Sequence, residues 1–278
     1  MSFRRALLSL AFCTTAPAAA SAQAAEPAPR MVELAYEITF AGFAGFRLNV
    51  AARLDGQAYD IESHAFKEGV LRALTIHYVG RNRAWGTVAP DGARPIGGSL
   101  SIVVGDKPRT WLAQYGAAGS VQETHNPEWK PIAAHQISDE QRRGALDPLT
   151  AVLTVGFAGD NACDRTIPSF DGKRRIDVVL KKVGSEPAAA TGVPGVQGDA
   201  LVCELHTHRV AGEFDEAPKE AETEKQRPMK IWLARLDSSQ LRLPVKLEAQ
   251  TGFGTIRGKT LTYSQRSLTD EERVAMRR

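Results

Sequence analysis

Glu204, His206 and His208 are spaced two apart, so on an extended chain all three project from one face. Imidazole and carboxylate both ligate zinc, which makes a metal site the first chemistry to weigh. Leu201, Cys203 and Leu205 fall on the opposite face, and a strand divided this way keeps its polar side in water. Solvation is a sufficient account of the triplet, and no metal site is expected. Asp147 is the second group: a carboxylate beside an apolar run is a conceivable buried general base. It stands directly before Pro148, however, where it can accept from the free amides of a helix's first turn. Capping is reason enough for it. The chain has no Gly-x-Ser-x-Gly elbow, no His-Glu-x-x-His, no Walker loop and no dinucleotide glycine fingerprint, and Gly97-Gly98-Ser99 reads as a turn. No catalytic residue and no cofactor is expected.

The remaining chemistry lies in the cysteines, and it depends on where the chain resides. Arg4 and Arg5 precede the apolar run Ala6-Leu7-Leu8-Ser9-Leu10-Ala11-Phe12. Ala20-Ser21-Ala22 and Ala22-Gln23-Ala24 each fit the small-x-small pattern of a signal-peptidase cut. Residues 1–24 are therefore expected to be a cleaved secretory signal. Leu10-Ala11-Phe12-Cys13 resembles a lipoprotein box, but Phe12 stands where a small residue is needed. The apolar run is too short to span a bilayer, no later stretch reaches about 18 uninterrupted apolar residues, and no transmembrane segment is expected. Cys13 leaves with the signal, and Cys163 and Cys203 remain. A reactive thiol and a pair of metal ligands are the alternatives to a bridge, but there is no Cys-x-x-Cys and no histidine flanks Cys163. In an oxidising compartment a structural disulfide is the natural reading. It would close a loop of about 40 residues and contribute roughly 4 kcal/mol in the chain-entropy model.

The elements that must position these groups are mostly strands. Val32, Leu34, Tyr36, Ile38 and Phe40 alternate with Glu33, Glu37 and Thr39, and Asp55-Gly56 is a strong hairpin signal. Strands are expected around 81–88, 99–104, 110–115, 174–182, 201–208, 229–235, 243–250 and 255–263, with a turn of helix leading into a strand over 68–78. Polar residues 122–136, with Pro127 and Pro131, read as a loop, and charged residues 213–227 as a mobile one. The clearest helix start is Asp147-Pro148, after which Leu149, Val152, Leu153 and Gly156 recur at helical spacing. These signals predict a mainly β protein: a single antiparallel, strongly curved sheet forming an open barrel or β-spiral, with a short central helix packed on its concave face. Residues 25–30 are a flexible lead, 31–265 one β-rich domain and 266–278 a charged tail. Leu149, Val152 and Leu153 are expected to bury against the sheet as a plug, and Cys163 to tie the helix's exit to the strand of Cys203. Tyr36 and Phe40 are expected in the core and Phe43 at a rim.

Composition bounds the partners. Formal net charge is +3, from 35 basic and 32 acidic residues; without Arg4 and Arg5 it falls to +1. A near-neutral chain makes no electrostatic case for nucleic acid or for strong attraction to a membrane surface.

Leu34-x-Tyr36 with Gly42 and Gly45, then Asp147-Pro148-Leu149-Thr150-Ala151, then Trp232-Leu233 and Leu243-Pro244-Val245-Lys246-Leu247 leading into Gly254, occur in an order and spacing that resemble one family. This is the domain of unknown function 3108 family of exported bacterial proteins, and the resemblance covers roughly residues 31–263. In broad character the chain is also similar to periplasmic β-spiral proteins associated with envelope integrity. The resemblance implies a periplasmic, half-barrel-like protein and supplies no catalytic residue. The expected function is non-enzymatic binding of an envelope component, lipid-like or peptidic, within the curved sheet, in support of envelope integrity. The alternative is a structural or interaction protein with a filled core that acts on an envelope protein through 213–227 or its strand edges. An envelope hydrolase is disfavoured, because no nucleophile–base pair can be named.

Overall fold

The computed structural model describes residues 28–73, 77–90, 92–213, 228–236, 241–252 and 254–276. The leader and nearly all of the expected mobile loop lie outside the described residues. Thirteen strands form one antiparallel sheet. The first seven are β1 (Arg30–Phe40), β2 (Phe43–Asp55), β3 (Ala58–Lys67), β4 (Tyr78–Ala89), β5 (Gly92–Val104), β6 (Lys107–Tyr115) and β7 (Val121–Asn126). Two helices follow, α1 (Asp139–Arg142) and α2 (Pro148–Phe157). The chain then resumes as β8 (Arg165–Phe170), β9 (Arg174–Pro187), β10 (Val196–Gly212), β11 (Met229–Leu236), β12 (Arg242–Thr251) and β13 (Gly254–Ser267). The sheet order is β7-β6-β5-β4-β3-β2-β1-β13-β12-β11-β10-β9-β8. Strands consecutive in the chain pair, except β7 and β8, and β1 zips against β13 at the centre. The edges, β7 and β8, are consecutive in the chain, and α2 lies between them.

Period-two patterning sets the faces. Leu34 pairs with Val50 and Val50 with Ser63, and this row turns inward with Val32, Tyr36, Tyr59 and Ile61. The inner residues of β1–β5 and β10–β12, together with Leu153 of α2, form the largest apolar cluster. The predicted single curved, unclosed sheet with a short helix on its concave face is what the structure shows.

Several local expectations are corrected. Residues 121–126 form a strand, not a loop; their alternation escaped notice because two of the three inward residues, Glu123 and His125, are polar. β8 was also missed, being short and carrying Pro168, a residue tolerated at a sheet edge. Gly97-Gly98 is no turn but the middle of β5, where a Cβ on Gly97 would stand 2.1 Å from the Trp85 ring. Phe40 is 46% exposed rather than core, because it sits with Phe43, 63% exposed, at the tip of the β1–β2 hairpin. The final strand continues past residue 263 to Ser267, and the charged end carries a short helix, α3 (Asp270–Met276), capped by Thr269. Arg273 of this helix reaches Asp55 at 3.2 Å.

Candidate functional site

α2 begins where the sequence signals it. Asp147 Oδ1 accepts from Leu149 N at 3.0 Å and Thr150 N at 2.9 Å, and Pro148 needs no donor. Just before it, Leu146 bridges to Ser169, which fastens the helix start to the edge strand β8. Asp147 is almost wholly buried. Thr150 Oγ1 donates to its Oδ2 at 2.5 Å and lies 2.7 Å from the Tyr59 hydroxyl. Burial raises the carboxyl above its ordinary range, against the opposing hydrogen bonds of Thr150 and Leu149. Burial likewise raises the Tyr59 and Tyr115 hydroxyls. The side-chain hydrogen bonds of Asp147 all go to the first turn of the helix, to Leu149 and Thr150.

The far end of α2 is held as firmly. A Cβ on Gly156 would meet Arg242 O and Leu241 Cδ1 at 2.8 Å, so only glycine permits this approach to β12. Arg242 binds Asp160 at 2.6 Å, just past the helix, and its charge holds that carboxyl below its usual range. Cys163 and Cys203 are joined by a disulfide, linking the helix's exit to β10.

Fixed at both ends, α2 divides the concave interior. Leu149, Leu153 and Phe157 pack into the filled half, where Leu153 is completely buried. The opposite face meets a second cluster, in which Ala151 and Val155 are buried with Ile167, Leu180, Ile231 and Leu233, and leaves part of this half unfilled. Pro148, Ala151, Val152 and Val155 line a groove whose other wall is Ile167, Ile176, Val178, Leu180, Leu205, Ile231 and Leu233 of β8–β11. Val152, expected to be buried in the plug, is 37% exposed and forms part of this wall. The cavity measures about 250 Å³ and is apolar except for Ser169, Asp171 and Arg174. It sits slightly below the roughly 300–1,000 Å³ usual for ligand sites. It does not stand alone. A second cavity of about 440 Å³, walled by Tyr78, Leu100, Ile102, Arg109, Trp111 and His125, shares Asp171 and Arg174 with it.

The two sheet edges meet at this mouth through side chains, not backbone. Trp111 of β6 stands edge-on to Phe170 of β8 at 5.9 Å, and its ring N–H donates to Glu123 at 2.9 Å. Gly172, with φ of +91°, lets the β8–β9 turn pass against the Trp111 ring. Within that turn Asp171 accepts from Lys173 N and Arg174 N at 3.0 and 2.8 Å. Lys173 reaches Glu213 at 2.8 Å.

Of the residues singled out by sequence, Asp147, Pro148, Leu149, Val152 and Leu153 come together on α2, and Cys163 and Cys203 at its exit. Glu204, His206 and His208 are not part of the site: they lie on the outer face of β10, where His206 stands 3.7 Å from Glu204. No group of three metal-ligating side chains converges among the described residues. The groove wall itself escaped sequence reasoning. Ile176, Val178 and Leu205 alternate as in any half-buried strand, and nothing in that pattern separates a cavity wall from a packed core. Among the described residues no helix is long and apolar enough to cross a membrane. No curated protein and no solved structure is significantly similar to the chain. The model of one family, described as a protein of unknown function (DUF3108), matches residues 33–260. The match takes in β2 to β12, parts of β1 and β13 and the Asp147-Pro148 helix, and the chain belongs to that family.

Proposed function

We propose that this is an exported, non-enzymatic carrier or sensor that holds an apolar chain from the cell envelope in the groove beside α2. The observation that carries the reading is the asymmetry of the helix: Leu149, Leu153 and Phe157 pack into the largest cluster, while on the other side, beside the smaller cluster of Ala151 and Val155, Val152 borders an apolar cavity that shares Asp171 and Arg174 with a second one. Apolar walls of this extent left unfilled are costly in water, and a hydrocarbon chain would replace the missing contacts. The Cys163–Cys203 disulfide and the leader sequence support an oxidising, periplasmic location. Asp147 is consumed by helix capping and hydrogen bonding to Thr150, which supports a binding role over a catalytic one.

Binding of the neutral fluorophore N-phenyl-1-naphthylamine tests the groove. The native protein is expected to enhance its emission saturably. Val152→Trp, at a position exposed enough to accept a larger ring, is expected to weaken that binding about tenfold or more without lowering thermal stability. Equal binding by Val152→Trp would place the probe elsewhere and remove the proposal.

A further inference from the structure

The mouth of the groove carries charge that its own residues do not consume. Three cations, Arg109, Lys173 and Arg174, line it together with two carboxylates, Asp171 and Glu213. Both carboxylates are engaged. Asp171 accepts the two backbone N–H groups of its turn and the Nε of Arg174 at 2.9 Å, and Glu213 accepts from Lys173. The cations keep capacity. Asp171 takes the Nε and Nη2 edge of Arg174, which leaves the other N–H groups of a five-donor fork on a half-exposed side chain. Arg109 is exposed and has no ion pair among the described residues. The hydrogen bond from Lys173, against the opposing effect of burial, and then the charges of Lys173, His135 and Arg109 hold the Glu213 carboxyl below the usual range.

We infer that the groove takes a single-chain amphiphile with an anionic head, its tail along α2 and its carboxylate or phosphate at Arg174 and Arg109. This rests on the apolar-chain reading above. Two features locate head and tail. The polar lining is confined to the mouth end, and Asp171 and Arg174 line both cavities, which sets Arg174 where the two adjoin. A planar fork beside an apolar channel suits carboxylate and phosphate alike.

Calorimetric titration of the disulfide-bonded protein with decanoate, decyl phosphate and decanol separates head from tail. It is run at low ionic strength and about pH 8, where both acids are ionised. The anions are expected to bind about tenfold or more tightly than the alcohol, the effect of one charge-assisted hydrogen bond, and to lose that margin as salt is added. The tighter of the two anions identifies the head. Arg109→Gln, which breaks no ion pair among the described residues, is expected to narrow the margin, and Arg109→Gln with Arg174→Gln to abolish it while decanol still binds. Equal affinity for all three ligands, or a margin that survives the double variant, overturns the head assignment and leaves the groove standing. Failure of all three to bind removes the groove reading as well.

Discussion

The Tyr59 hydroxyl on β3 lies 2.7 Å from Thr150 Oγ1 on α2, inside the core. Thr150 already donates to Asp147, so Tyr59 supplies the proton between them. The sheet thereby reads the helix's capping residue through one intermediate. Tyr59→Phe removes only the outer bond, and its expected cost in urea unfolding is about 1 kcal/mol. Asp147→Ala removes the cap of two backbone N–H groups and the acceptor of the Thr150 hydroxyl, at an expected cost of about 2 kcal/mol or more. Equal losses would show that the order of the relay is wrong.

Asp147 also gives stability an unusual pH dependence. Burial holds its folded-state carboxyl above the ordinary range. The folded protein then binds that proton more tightly than the unfolded chain. Its contribution is full below the ordinary value of about 3.9 and is lost as pH rises to the folded value. Glu68, Asp160 and Glu213 act in the opposite sense: Arg47, Arg242 and Lys173 lower them, so their contribution is present above the ordinary range and fades on acidification. Each of these carboxylates keeps solvent contact, even Asp160 beside the buried Arg242, and contributes little. Asp147→Asn keeps a capping oxygen and removes the titration. Denaturant midpoints of variant and wild type, compared from about pH 4 to neutrality, should shift progressively in the variant's favour. A constant offset would mean that Asp147 titrates alike in both states.

Gly156→Ala reverses an ordinary rule. In an exposed helix interior the change gains roughly 1 kcal/mol. Here the new Cβ would stand 2.8 Å from a backbone oxygen of β12, which cannot swing aside as a side chain would. A loss of about 1–3 kcal/mol is expected in thermal or urea unfolding. A gain would show that α2 can slide away from β12 freely.

Reducing the Cys163–Cys203 bridge, whose partners are 40 residues apart, is expected to cost about 4 kcal/mol and to lower the melting temperature. Cys163→Ala with Cys203→Ala should melt with the reduced wild type. Unchanged melting in reductant would mean that the bridge does not constrain the unfolded chain.

Leu153 and Val152 are adjacent but face different halves of the interior. Leu153→Ala is expected to cost about 2–5 kcal/mol, as for any fully buried leucine. Val152→Ala, at a groove wall, should fall within about 0.5 kcal/mol and enlarge the cavity. Chemical denaturation of the pair distinguishes a helix packed on one side from one packed on both.

What the sequence made legible follows from what is local. Asp147-Pro148 marks its helix because capping is decided by two residues, and Leu34 with its alternating neighbours marks β1 because one face must be dry. β7 was hidden because Glu123 and His125 point inward yet satisfy each other, Trp111 and Arg142, contacts made only after folding. Phe40 was misplaced because periodicity cannot tell where a hairpin outruns the sheet that covers it. The groove depends on how far α2 stands from β9 and β10, which Gly156, Asp160 and the disulfide set jointly and no segment sets alone.

The pairing of β1 with β13 has a consequence for the order of assembly. Every other ladder joins strands that follow one another in the chain, whereas this seam unites the two ends, with Arg30 opposite Ser267 and Leu268 N donating to Pro29 O at 3.2 Å. Closing it demands a loop of nearly the whole polypeptide, the slowest kind of contact to reach. The strands thus run as a ring joined at the chain's two ends and open between β7 and β8. A circular permutant, with a short linker from the end of α3 to residue 28 and new ends opened between β7 and β8, within residues 127–132, would keep every ladder and turn that remote encounter into a local one.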